Sequence, residues 1–330
     1  MSRRHSPGAG GVRASVVACA TALALAVVAP SSATAASTFT EFPVPTPASQ
    51  PAGIAAGPDG NLWFTEAAGG KIGRITSSGQ ITEYVVPTAS SGPVGITAGP
   101  LSSMWFTEGD GDRIGRITAE GAITEFRTPS RNGTPHAIAA GPDGALWFSY
   151  LFRNRIGRMT TAGTFTEYAL PTPHAQVHSM VAGPDGALWF TEFDGNKIGR
   201  ITTGGTITEF PIPTPDSRPH GIVAGPDGAM WFVEHAGNKV GRISTEGELS
   251  EYPLAPGSGP HEIGAGPDGR LWFTEQMANR IGSMNIAGSD LRELAIPTPN
   301  SGAGYIVAGP DGAMWFHERM ANQIARVRVA

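Results

Sequence analysis

Cysteine is almost absent from this chain of 330 residues; Cys19 is the sole one. A stabilising disulfide is therefore excluded, and stability has to come from core packing. Positive charge is sparse as well. Lys and Arg number 23 against 28 Asp and Glu, a net charge of −5 with no basic cluster. Nucleic acid and anionic membrane surfaces are poor partners for such a chain. Helical patterning is missing too, since no stretch carries apolar residues at helical spacing for ten residues or more. That argues against an α-helical fold.

One long apolar run is present, Ala14 to Ala29, preceded by Arg3, Arg4 and Arg13 and followed by Ala33-Thr34-Ala35. Residues 1–36 read as a secretory signal peptide with a small-residue cleavage site, not as a membrane span. Ser2-Arg3-Arg4 hints at twin-arginine export, but the residues after it fit poorly. Val17-Ala18-Cys19 hints at a lipoprotein box, but the apolar run continues past Cys19. Cleavage would remove Cys19 and three arginines, leaving twenty basic residues against 28 acidic ones, a net charge of −8. The expected location is outside the cell.

What the chain has in abundance is a repeat. GPDGNLWFTE at Gly57 to Glu66 returns as GPDGALWFTE at Gly183 to Glu192 and as GPDGRLWFTE at Gly266 to Glu275. The seven tryptophans, Trp63, Trp105, Trp147, Trp189, Trp231, Trp272 and Trp315, each sit in one copy, at steps of 41 to 43 residues. A fixed period of this size marks a repeat architecture. Within one unit, such as Pro219 to Pro253, four short apolar-rich runs are separated by turn chemistry such as Gly-Pro-Asp-Gly. Pro suits the second position of a type I turn, with Asp and Gly after it. Each unit is thus a four-stranded antiparallel meander, strands A to D, and one such unit per period describes a propeller blade.

The chain ends imply closure. The last unit stops after Ile324 to Val329, a strand C with no strand D, while Phe39 to Pro45 at the front matches Ile207 to Pro213, a strand D. The front strand is expected to complete the last blade, which makes residues 37–330 a seven-bladed all-β propeller. Trp and Phe of strand B point to opposite faces of a blade. Both faces are covered by neighbours, so the tryptophans are expected to be core. The acid after Trp-Phe-Thr recurs as Glu66, Glu108, Glu192, Glu234, Glu275 and Glu318, with Tyr150 in its place in blade three. It is expected to pair with a Lys, an Arg or a backbone NH of strand C, because an unpaired buried carboxylate is costly.

Function in a symmetric scaffold sits where the units differ. At the start of strand A, blades one and two read Pro-Ala-Gly-Ile and Pro-Val-Gly-Ile, whereas blades three to six place His136, His178, His220 and His261 at one site. Four of the seven histidines beyond residue 36 should therefore form an arc at the mouth of the central channel. Imidazoles could simply cap strand A by bonding a neighbouring loop. They could also make a polar binding or catalytic mouth, since imidazole exchanges a proton near neutral pH.

The unit Pro-His-Gly-Ile, Gly-Pro-Asp-Gly-Ala-Met-Trp-Phe-Val-Glu, Gly-Asn-Lys-Val-Gly-Arg-Ile and Glu-Tyr-Pro resembles the streptogramin B lyase (virginiamycin B lyase) family, over roughly residues 39–330. The resemblance implies a seven-bladed propeller that opens cyclic depsipeptide antibiotics by elimination, using Mg2+. It implies a pair of histidines from adjacent blades: His220 contacting substrate and His261 as general acid/base. His178 and His136 would extend the substrate mouth. The pattern of the family places one metal-binding Glu two residues before the catalytic His, where this chain has Gly259, and another four residues after the strand-B Trp, where it has Gln276. Glu275 and Glu262 are then the nearest available metal contacts. A secreted binding propeller without turnover is the alternative that the two replaced carboxylates favour. A metal-dependent lactone hydrolase is a further one, against which stands the lack of an Asp, Asn and Glu cluster at the hub. The expected partner is a small molecule or cyclic peptide, and the expected state a monomer.

Overall fold

The computed structural model describes residues 38–328; the signal-peptide reading of residues 1–36 lies outside them. Seven four-stranded antiparallel sheets carry the 28 strands. Blade five shows the common plan: strand A Pro219–Ala224, B Met230–Glu234, C Lys239–Ile243 and D Leu249–Pro253. Blade seven combines Ala303–Ala308, Met314–Glu318 and Gln323–Arg328 with the N-terminal strand Thr38–Pro43. The N-terminal strand runs antiparallel to the last one, with Phe39 opposite Val327 and Phe42 opposite Ile324. The ring is closed by the two ends of the chain, as the offset repeat predicts.

Strand B forms because its residues are apolar on both faces and both faces are covered. Every Trp is at most 3 % exposed and the adjoining Phe is fully buried. In six of the seven turns an Asp anchors the indole ring, as in blade four: Asp185 Oδ1 accepts the Trp189 indole NH at 3.1 Å, while Asp185 Oδ2 takes Arg200 Nε at 2.6 Å. Blade two has no Asp there, and Trp105 donates to the Pro100 carbonyl at 3.1 Å. Arg200 lies over the Trp189 ring, and Phe210 of strand D stacks on that ring at 5.6 Å. Turn, core and sheet edge are thus one unit, repeated with small variations around the ring.

The strand-B acids depart from expectation. Glu66, Glu108, Glu192, Glu234, Glu275 and Glu318 are fully buried, and none of their carboxyl oxygens has a hydrogen-bond partner. The expected ion pair with strand C does not form. Lys71, Lys197, Lys239 and Arg280 instead bond the strand-D acids Glu83, Glu209, Glu251 and Glu293 at 2.6 to 2.8 Å. Those acids compete better because they also accept an incoming loop: Glu209 takes the Thr172 backbone NH at 3.0 Å and its hydroxyl at 2.6 Å. Burial, reinforced by the neighbouring strand-D carboxylate, pushes Glu66, Glu234 and Glu275 up to about 7 and Glu108, Glu192 and Glu318 up to about 8. Blade three shows what the place requires. Tyr150 stands there, and its hydroxyl donates to Glu167 Oε1 at 2.8 Å. A neutral carboxylic acid supplies the same kind of donor.

An acid whose pKa is higher folded than unfolded binds its proton more tightly in the fold. Its contribution is fully present below the unfolded value and is lost as pH rises through the folded one. The buried histidines act the other way: burial holds His136 at about 4 and His317 at about 3, so they cost stability only below about 6.5. Above pH 6.5 the acids act unopposed by the histidines. The melting temperature is expected to fall between pH 6.5 and 8.5, at roughly 1.4 kcal/mol per pH unit for each acid still titrating. Glu192→Gln keeps a donor without a titrating proton and should remove its share of the slope. A wild-type melting temperature flat across this window would contradict the assignment.

Candidate functional site: the histidine arc at the channel mouth

Strand A of every blade pairs with strand B through a bulge after its first residue; in blade five the register shifts between Pro219 and Ile222. The same irregularity occurs in the other six blades. Bulges re-aim side chains, and here the second residue of strand A falls inside the bulge. That residue is the histidine in blades three to six. The Thr of Trp-Phe-Thr-Glu fills the gap and ties blades together. Thr191 Oγ1 accepts the Ser179 NH at 3.2 Å and donates to the His220 carbonyl of the next blade at 2.6 Å.

The structure joins the four histidines into one arc. His136 Nδ1 lies 3.2 Å from the His178 carbonyl, and His178 Nδ1 lies 3.2 Å from His220 Nε2. His220 Nδ1 is 3.0 Å from Glu262 Oε1. The rings of His220 and His261 have centroids 3.8 Å apart at an angle of 32°. Two proton arrangements satisfy this chain. With Glu262 ionised, His220 donates from Nδ1 and accepts at Nε2 from His178; with Glu262 neutral, each bond reverses. Burial raises Glu262 from its ordinary value, and its bond to His220 lowers it. His261 is driven well below the usual imidazole range by burial, with His220 and His235 adding to the effect. It is therefore a neutral imidazole at neutral pH, and its Nδ1 is buried without a partner.

Glu262 occupies the third position of strand A, where the other blades have Gly53, Gly95, Ala137, Ser179, Gly221 and Tyr305. Room for it comes from the neighbouring blade: a Cβ on Gly221 would lie 2.7 Å from Glu262 Oε2. The carboxyl lines the central channel, an otherwise largely apolar cavity of about 420 Å³ walled by strand-A residues such as Ile54, Ile138 and Ile222. Glu275 does not join the histidines. It is the buried acid of blade six, beside Glu293 and Arg280. Among the described residues, the one group of three or more His, Cys, Asp and Glu side chains close enough to share an ion is His220, His261 and Glu262.

Mg2+ finds no fitting site here. A hard cation wants several oxygen ligands, and the trio offers one carboxylate and two imidazoles. Gly259 has φ +53°, and a Cβ on it would meet Met277 Cγ at 2.4 Å, so a larger residue is opposed both by backbone and by space. Gln276 turns its amide nitrogen to the Ala303 carbonyl at 3.4 Å.

Further residues shape the mouth. The Phe193 ring packs on His178 at 4.6 Å, and the Arg218 guanidinium lies 5.5 Å over Phe193. His235 stands edge-on to His261 at 5.9 Å and bonds the Pro260 carbonyl. His317 of blade seven takes the place of the bulge-filling Thr, its Nε2 accepting the Tyr305 NH at 3.0 Å. The sequence carried a signal for it, since this copy reads Trp-Phe-His-Glu.

A seven-bladed propeller with a histidine-lined mouth over its central channel is the class that fold and site define. The chain belongs to the virginiamycin B lyase family, whose model matches residues 30–263 and 222–330. It is similar to a solved streptogramin B lyase, at 39 % identity and a TM-score of 0.86, over 89 % of this chain and 98 % of that one. It is also similar to a catalytically inactive His-to-Ala variant of virginiamycin B lyase from Staphylococcus aureus with quinupristin, at 38 % identity and a TM-score of 0.85, over 89 % of this chain and all of that one. The WD40 propeller domain of Doa1, at 11 % identity and a TM-score of 0.71, shares the fold. No curated protein matches the chain by sequence.

Proposed function

We propose that the protein is a carbon–oxygen lyase that opens the ester of a streptogramin B-type cyclic depsipeptide. The observation that carries this reading is the placement of His261 in a chain of this family: it sits on the strand-A bulge at the channel mouth, its ring centroid 3.8 Å from that of His220, where burial favours the neutral imidazole. Neutral imidazole is the form that accepts a proton. His261 would take the proton α to a carbonyl. The freed electron pair becomes a carbon–carbon double bond as the β C–O bond breaks, and the carboxylate leaves with the C–O pair. His220, His178 and His136, with Phe193 and Arg218, supply the polar and aromatic rim on which the peptide is oriented. No step is assigned to Mg2+. The reading includes secretion after loss of residues 1–36 and action as a monomer on a small cyclic peptide, with antibiotic inactivation as the outcome.

The replaced carboxylates at Gly259 and Gln276 favour a second reading, a propeller that binds such a ligand without turning it over. Mass spectrometry of a streptogramin B incubated with the protein separates the two. Elimination gives a ring-opened product of unchanged mass. A product heavier by one water means hydrolysis and defeats the lyase reading. Binding with no product moves the assignment to the binding propeller.

A further inference from the structure

We propose that His220, His261 and Glu262 bind one borderline divalent ion, Zn2+ being the test case. We further propose that this ion and turnover exclude each other, because both draw on the His261 imidazole. The second half rests on the lyase reading; the first does not. Each member of the trio offers one ligand atom, and these lie within 4.8 Å of one another. His220 Nδ1 and Glu262 Oε1 are 3.0 Å apart. Two ligand atoms about 2.1 Å from a tetrahedral ion stand about 3.4 Å apart, so the ion replaces the shared proton with a movement of a few tenths of an ångström. His261 brings the third ligand through one of its ring nitrogens, and its Nδ1 is buried without a hydrogen-bond partner.

The surroundings suit an ion rather than merely permit one. A metal-ligating histidine generally donates its other ring NH to a neighbour, which fixes its orientation. His220, bound through Nδ1, would donate from Nε2 to His178 Nδ1, which already lies 3.2 Å away. The absence of a side chain at Gly221 keeps open the place that Glu262 Oε2 occupies. Two imidazoles and one carboxylate are a zinc ligand set that leaves a fourth position for water or a ligand, here on the channel that Glu262 lines. The same set disfavours Mg2+, which prefers oxygen. An imidazole that holds an ion on either ring nitrogen is no longer a free neutral base, which is why occupancy of His261 should silence the mouth.

The test is titration of metal-stripped full-length protein with Zn2+ and, separately, Mg2+ by calorimetry, with Co2+ as a spectroscopic substitute. One Zn2+ per chain is expected, with no Mg2+ uptake at millimolar concentration and intense visible Co2+ bands of tetrahedral type. Glu262→Gln should weaken Zn2+ at least 10-fold. No Zn2+ uptake, weak octahedral Co2+ bands, Mg2+ competing equally, or unchanged affinity in Glu262→Gln would each overturn the site. If a variant fails to fold, the Co2+ spectrum of the intact protein decides. Streptogramin B turnover should stop at one Zn2+ per chain and return with a chelator. Turnover that persists with the site filled would overturn the exclusion. Zn2+ binding to a chain that turns over nothing even when stripped would leave the site standing and end the lyase reading instead.

Discussion

A chain lacking residues 38–46 is expected to lose most of its folded population at 37 °C. The deletion takes away the outer strand of blade seven and the contacts that fasten it. Phe42 stacks on Trp315 at 5.5 Å, and Phe39 meets Phe316 edge-on at 6.3 Å. Val44 is buried in the cluster of Ile54, Phe64 and Trp315. Glu41 accepts the Thr298 backbone NH at 3.2 Å and its hydroxyl at 3.0 Å, a bond across 257 residues of sequence. Removing one buried phenylalanine typically costs about 3–5 kcal/mol, and a whole domain holds only about 5–15 kcal/mol. Deletion also bares the backbone of Gln323–Arg328 as an open sheet edge, which invites aggregation. Circular dichroism and thermal melting of the truncated chain would show this. A melting temperature within a few degrees of wild type would mean that the ring does not depend on its latch.

His261→Ala is expected to abolish streptogramin B turnover while leaving the melting temperature nearly unchanged. Loss of a general base costs on the order of 10²–10⁴ in rate, and the His261 ring hydrogen-bonds to nothing through its buried Nδ1. His220→Ala should behave differently. His220 is 8 % exposed and joins Glu262 to His178. Removing it leaves the buried Glu262 carboxyl unpaired, a loss of about 1–3 kcal/mol in addition to any loss of substrate affinity. His136→Ala, at the far end of the arc, should do least. Initial rates and melting curves of the three variants read these effects. Full turnover in His261→Ala would remove the residue from the chemistry.

Much of this molecule is legible in its sequence because the repeat turns one reading into seven. The Trp period, the missing last strand and its counterpart at the front are enough to specify a closed ring. The histidine arc is legible for the same reason: a departure at one phase of a period must lie on one face of the ring. What escapes is competition between like groups. Strand periodicity sets Glu192, Lys197 and Glu209 on one face of blade four, and the spacing alone does not say which acid takes the lysine. The answer lies in the Thr172 loop, which adds two donors to Glu209 and leaves Glu192 with none. Glu262 and Glu275 divide in the same manner. Proximity in sequence to a metal-site position suggests Glu275, yet every intact blade buries that acid. Glu262 is the real exception, a carboxylate where five blades carry Gly, Ala or Ser and the seventh carries Tyr305.

The bulge that aims the histidines is present in all seven blades, so the ring offers one socket per blade at its mouth whether or not a functional group fills it. Blades one and two hold Ala52 and Val94 there. Blade seven holds Gly304, and a Cβ at that point would strike the His317 ring at 2.3 Å, so its socket is already plugged from strand B. A single substitution at Ala52 or Val94 would therefore lengthen the arc without remaking any strand, whereas the same change at Gly304 would first need His317 to leave. New chemistry on this scaffold can be acquired one side chain at a time, and in only one direction around the ring from His136.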